Sequence, residues 1–118
     1  EHFDSSFIAW SPLGRGVLTG KYQTSIPPDS RAASPHLQGF VSPYLSAEYQ
    51  PIIEAVLAGA EGLEWDPLKL ALAWVKDAPG VTSALTGARS AQQFAAILKA
   101  ADAHVPHQIR VALNEASE

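Results

Sequence analysis

Trp10-Ser11-Pro12-Leu13-Gly14-Arg15-Gly16-Val17-Leu18-Thr19-Gly20-Lys21-Tyr22 carries the strongest signal in this chain. A short apolar run, Phe7-Ile8-Ala9-Trp10, empties into a loop holding three glycines and two cations. Glycine lets a backbone approach a ligand that a Cβ would hold off, and loops are where binding residues gather. A second loop of this kind, Thr86-Gly87-Ala88-Arg89-Ser90, runs straight into a helical pattern. The spacing Gly14-x-Gly16-x-x-x-Gly20 breaks the G-x-G-x-x-G dinucleotide fingerprint, and no helix follows it closely. A Rossmann-type phosphate turn is therefore excluded.

Outward from these loops, Phe7–Trp10 is expected as a short buried strand, bounded by Asp4-Ser5-Ser6 and Pro12. Residues 23–45 are rich in Pro, Ser and Gly without periodicity, an excursion whose length predicts function or mobility. From about Ala47 to Leu63, the residues Ile52, Ile53, Val56, Leu57, Ala60 and Leu63 repeat at helical spacing, with Gly62 as the expected stop. Asp66 followed by Pro67 predicts a capped second helix bearing Leu68, Ala71, Leu72, Trp74 and Val75 and ending before Pro79-Gly80. Trp65 is placed for a staple contact at its start, and Trp74 in the core. A second strand is expected over Val81–Thr86. Ser90 with Gln93 fits a capping box, and Phe94, Ile97, Leu98 and Ala101 form one apolar stripe behind it. Pro106 opens a last helix with Ile109, Ala112, Leu113 and Ala116 on its inner face. Strand, long loop, two helices, strand and two helices predict an α/β architecture with ligands at the C-terminal strand ends. Two strands alone are marginal in water, so further sequence upstream is expected to complete the sheet.

At 118 residues, 47% hydrophobic and 17% charged, the chain suits one globular domain. It has neither Cys nor Met, which excludes disulfides and thiolate chemistry and makes Glu1 an unexpected initiator. A piece of a longer protein is the expectation. No apolar run approaches the roughly 18–20 residues of a membrane span, and no basic, apolar leader is visible. A cytoplasmic location without membrane partners is expected. The net charge of −4 argues against nucleic acid. Residues 32–66 carry only acids, whereas Arg15, Lys21, Arg31 and Arg89 lie in or just beyond the glycine loops. That clustering points to a small anionic ligand. His104-x-x-His107 is interrupted by Pro106 and has no third ligand nearby, so surface histidines are expected there rather than metal.

The ordered set Trp10-Ser11-Pro12-Leu13-Gly14-Arg15-Gly16, Thr19-Gly20-Lys21-Tyr22, Pro28-Asp29-Ser30-Arg31, Leu70-Ala71-Leu72-Ala73-Trp74-Val75, Gly80-Val81 and Gly87-Ala88-Arg89-Ser90-x-x-Gln93 resembles the C-terminal part of an aldo-keto reductase. The tail Ile109-Arg110-x-Ala112-Leu113 is similar to that family's final helix. The resemblance implies the last two strands and following helices of a (β/α)8 TIM barrel, incomplete on its own, with NADP(H) across the C-terminal face. It implies a cofactor site made of Trp10, Ser11, Pro12, Leu13, Gly14, Arg15, Lys21, Arg31, Gly87, Arg89 and Gln93. Trp10 would stack on the nicotinamide, and Ser11 to Arg15 would hold the pyrophosphate. Lys21 and Arg31 would clasp the adenosine side. Arg89 would address the 2′-phosphate, where a planar fork suits the ligand, and Gln93 the adenine end. The family often places an acid and an Asn further along this helix, where this chain has Ala96 and Ile97.

The same resemblance implies reduction of small aldehydes or ketones to alcohols by an Asp, Tyr, Lys and His set that lies on earlier strands. This chain would then supply cofactor binding and no catalytic residue. Two alternatives stand beside it: a non-catalytic NADP(H)-binding regulatory subunit, as in the potassium-channel beta subunits that share the barrel, and an inactive truncated fragment.

Overall fold

The computed structural model describes residues 5–10, 12–13, 18 and 47–118. Strand β1 covers Phe7–Trp10, and a 3-10 turn, Ala47–Tyr49, leads into helix α1, Gln50–Leu63. Helix α2 spans Pro67–Lys76, strand β2 Val81–Leu85, helix α3 Ala91–Ala101 and helix α4 His107–Ala116. The expected order of elements is therefore the observed one. The Pro-, Ser- and Gly-rich stretch 23–45 lies outside the described residues.

Each boundary has a local cause. Asp66 accepts the Leu68 N–H at 3.1 Å, with Pro67 preset for the first helical position. Trp65 packs on the core cluster that includes Leu70, the staple expected of the residue before a cap. At the end of α1 the stop is Glu64 and not Gly62, which stays inside the helix. Glu64 takes a left-handed φ of 57° and donates to the Glu61 carbonyl at 3.1 Å, while Trp65 donates to Ala60 at 2.8 Å. That pair of reversed bonds satisfies carbonyls of the last turn of α1, and packing of half-buried Trp65 against the core holds it in place.

The hydrophobic core gathers Val56, Ala60, Leu70, Ala71 and Leu113, with Leu13, Leu18, Trp65, Trp74, Val105 and Ile109 packed around them. Helix α2 touches α1, α3 and β2, and Leu70 through Ala73 are all buried. Four consecutive apolar residues cover most of a helix's circumference, which suits such a central position. On α4, Leu113 is buried and Ile109 half-buried, but Ala112 is exposed, unlike the inner position expected for it. Trp74 is half-buried, its indole Nε1 donating to Asn114 Oδ1 at 3.0 Å.

β1 and β2 pair in parallel, with Phe7 opposite Val81, Ile8 opposite Ser83, Ala9 opposite Ala84 and Trp10 opposite Leu85. The register skips Thr82, whose hydroxyl meets that of Ser6. Against the buried strand expected at β1, Ile8 is 63% exposed and Ala9 half-buried, while the side chains of Phe7 and Trp10 lie outside the described residues. Among the described residues the sheet has two strands, and α2 packs on β2. The apolar stripe expected to bury α3 is also mostly outward: Phe94 and Leu98 are 55% and 53% exposed, and the buried residue is Ala100. A TIM barrel is not seen in these elements, which form a mixed helix and strand unit.

Candidate functional site

Parallel pairing puts Trp10 beside Leu85, so the loops that follow β1 and β2 leave from one edge of the sheet. Ligands of α/β folds bind beyond that edge, where side chains from separate loops converge. After β2, Thr86, Gly87, Ala88, Arg89, Ser90, Ala91, Phe94 and Ile97 line a cleft of about 480 Å³. This is within the usual range of small-molecule sites.

The cleft is organised by the start of α3. Ser90 Oγ accepts the Gln93 N–H at 3.1 Å, as the capping pattern predicts. The return bond differs from the box: Gln93 Oε1 accepts from the Arg89 N–H at 2.7 Å, one residue further back. Gln93 thus shapes the loop and does not line the cleft. The first helical amides, of Ala91 and Gln92, take no partner among the described residues. They and the Arg89 side chain supply the positive potential that a helix start offers an anion. A Cβ built on Gly87 meets nothing within 4 Å, and its φ is not left-handed. Nothing in the described chain requires glycine there, and the backbone is open to approach from outside.

In the first loop, Pro12 is buried and Leu13 packs on the core cluster, its carbonyl accepting the Leu18 N–H at 3.0 Å. Leu13 therefore anchors this loop to α1 and α2. Trp10 closes β1 through its backbone. Ser11, Gly14, Arg15, Lys21 and Arg31, together with the side chain of Trp10, lie outside the described residues.

Away from the cleft, Asp77 at the end of α2 joins Lys76 Nζ at 2.7 Å and His104 Nδ1 at 2.9 Å. Partial burial works to raise the Asp77 carboxyl, but hydrogen bonds and charge from Lys76 and His104 outweigh it and hold it below its ordinary value. The sequence singles out His104 only by its spacing to His107. Its actual partner lies on a different element, which no spacing rule could reveal. Among the described residues no cluster of metal-ligating side chains occurs and no helix is long and apolar enough to cross a membrane.

The model of the aldo/keto reductase family matches residues 1–116. A probable voltage-gated potassium channel subunit beta of Arabidopsis thaliana is 36% identical over 94 residues, covering 79% of this chain and 29% of that protein. An uncharacterised oxidoreductase of Mycobacterium bovis is 34% identical over 110 residues, 93% of this chain and 33% of its own length. A putative voltage-gated potassium channel subunit beta of Schizosaccharomyces pombe is 33% identical over 95 residues, 79% of this chain and 28% of that protein. The chain belongs to the aldo/keto reductase family, a family of oxidoreductases that generally use NAD(P)H. It spans about a third of the length of the curated relatives it matches.

Proposed function

We propose that residues 1–118 are the cofactor-holding C-terminal part of a (β/α)8-barrel oxidoreductase that reduces aldehydes or ketones to alcohols with NADP(H). The observation that carries this is the common edge from which both glycine loops depart, fixed by the pairing of Trp10 with Leu85. The cleft after β2 fits the phosphate-bearing end of a nucleotide: an arginine, the first residue of α3 and an open glycine line it. Arg89 reads the 2′-phosphate, and Gly87 gives the ligand access to the backbone. Trp10 flanks the nicotinamide, and Ser11, Pro12, Leu13, Gly14 and Arg15 form the turn over the pyrophosphate. Lys21 and Arg31 close on the adenosine side. When bound, the cofactor supplies the hydride that adds to the carbonyl carbon. The proton donor and its tuning groups come from earlier strands of the barrel, and the chain acts in the cytoplasm on small carbonyl compounds.

A regulatory NADP(H)-binding subunit is the alternative, favoured by the 36% identity to a plant channel subunit. The deciding experiment uses the full-length protein, titrated with NADPH and then assayed for NADPH oxidation with reactive aldehydes and ketones. Turnover is the expected result. Tight binding without turnover across the panel assigns the regulatory role, and no binding of NADPH or NADH overturns both.

A further inference from the structure

The loop from Thr86 to Ser90 leaves the end of β2 and passes into α3. Gln93 holds its last two residues at once: its N–H donates to Ser90 Oγ at 3.1 Å, and its Oε1 accepts the Arg89 N–H at 2.7 Å. The first bond caps the helix. The second does not, because a capping box returns to the N–H of the cap residue itself, here Ser90. It falls one residue earlier, on Arg89, which lines the cleft together with Ser90. At 2.7 Å it is at the short end for an N–H···O bond. Gln93 is not among the residues lining the cleft, so its reach back acts on Arg89 and not on the occupant.

We propose that Gln93 is a positioning residue for Arg89: by holding the Arg89 amide it sets how strongly the cleft prefers a cofactor with a 2′-phosphate. The inference rests on the cofactor function proposed above. It moves Gln93 from contact with the adenine end, which the family resemblance implies, to control of its neighbour. An arginine meets a phosphate as a planar fork, and two parallel bonds tolerate less misplacement than a point charge does. The rotamers open to that side chain depend on the backbone that carries it. Fixing this backbone before the ligand arrives lowers the ordering cost of binding. A direct contact to adenine would act on NADPH and NADH alike, since both carry the base. A residue working through Arg89 acts on NADPH alone, and only while the Arg89 side chain is present.

The test is a double-substitution cycle in the full-length protein, read as dissociation constants for NADPH and NADH. Gln93→Met keeps the length and helix propensity of the side chain and removes its acceptor. It is expected to weaken NADPH about three- to tenfold, the scale of one net hydrogen bond, and to leave NADH unchanged. Added to Arg89→Ala, it is expected to change nothing further. Amide exchange in the free protein gives a second readout that needs no cofactor. The Arg89 N–H should exchange faster in Gln93→Met and stay slow in Gln93→Glu, which retains an acceptor. Equal losses for both cofactors, losses that add in the doubly altered protein, or unchanged exchange at Arg89 overturn the inference while the cofactor function stands. So does an unaltered protein that binds NADPH and NADH equally well. Binding of neither cofactor overturns the cofactor function and this inference together.

Discussion

Both terminal nitrogens of Arg110 donate to the main-chain oxygen of Trp74, each at 3.2 Å. That carbonyl lies in the last turn of α2, where a helix has no internal partner left to offer. The cation also sits at the negative end of the helix dipole and 6.0 Å from the Trp74 ring centroid. Helix α4 is thereby tied to α2 at a point where both are only half-buried.

Arg110→Ala is expected to destabilise the full-length protein by about 1.5–3 kcal/mol, the range for hydrogen bonds made by a charged group. Arg110→Lys should recover only part of this, because an ammonium has no fork to span the carbonyl. Chemical denaturation with unchanged slope measures both. Equal stability of all three proteins would show that water serves the Trp74 carbonyl as well as arginine does.

Gly59 and Gly62 share one helix but should respond oppositely to added carbon. A Cβ at Gly59 would stand 3.0 Å from Leu70 Cδ2 and 3.4 Å from Ile109 Cγ2, and Leu70 is fully buried with nowhere to retreat. Gly59→Val is expected to cost about 1–3 kcal/mol by overpacking. At Gly62 nothing lies within 4 Å, so Gly62→Ala should stabilise by about 0.5–1 kcal/mol through the unfolded chain's lost freedom. Thermal melts of the two variants, run side by side, check the signs.

Asp77 has a depressed pKa, so its stabilising contribution is complete above the ordinary 3.8 of the unfolded chain. It drains away as the pH falls below that value through the lower folded one. Asp77→Asn is expected to flatten the acid limb of the stability profile below about pH 4 and to cost at most about 1 kcal/mol at neutrality. Stability against pH for both proteins, measured from pH 2 to 7, would reveal an unaltered acid limb if the pairing with Lys76 and His104 were inconsequential.

Arg89→Ala is expected to weaken NADPH binding at least about tenfold and leave NADH nearly unchanged, given about 1.5–3 kcal/mol for each charge-assisted bond before offsetting costs. Titration with both cofactors measures the ratio. Equal losses would mean that Arg89 does not read the 2′-phosphate.

Local chemistry was legible in the sequence wherever a residue acts on its own neighbours. Asp66-Pro67 and Ser90 through Gln93 both start helices where expected, since cap bonds span only two or three residues. The stop at Glu64 was not legible, because glycine is the usual left-handed residue and Gly62 stood two places away. Here packing of Trp65 against the core selects the frame, a tertiary cause. The α3 stripe failed for a related reason: periodicity finds an apolar face, but burying Phe94 and Leu98 needs a partner surface that a stripe does not specify. Of the candidate site, the sequence pointed to the Gly87–Arg89 loop, which lines a cleft after β2, whereas the turn of Gln93 toward the Arg89 amide depends on a rotamer that spacing cannot fix.

Only Glu64, Trp65 and Asp66 join α1 to α2, and all three are already committed. Glu64 reverses the chain, Trp65 packs against the core and Asp66 caps the next helix. A residue inserted there would displace at least one of these from its position and unsettle both helix ends at once. Length variation between relatives should therefore avoid this corner, and a tag, graft or new chain terminus placed at it would be felt throughout the unit.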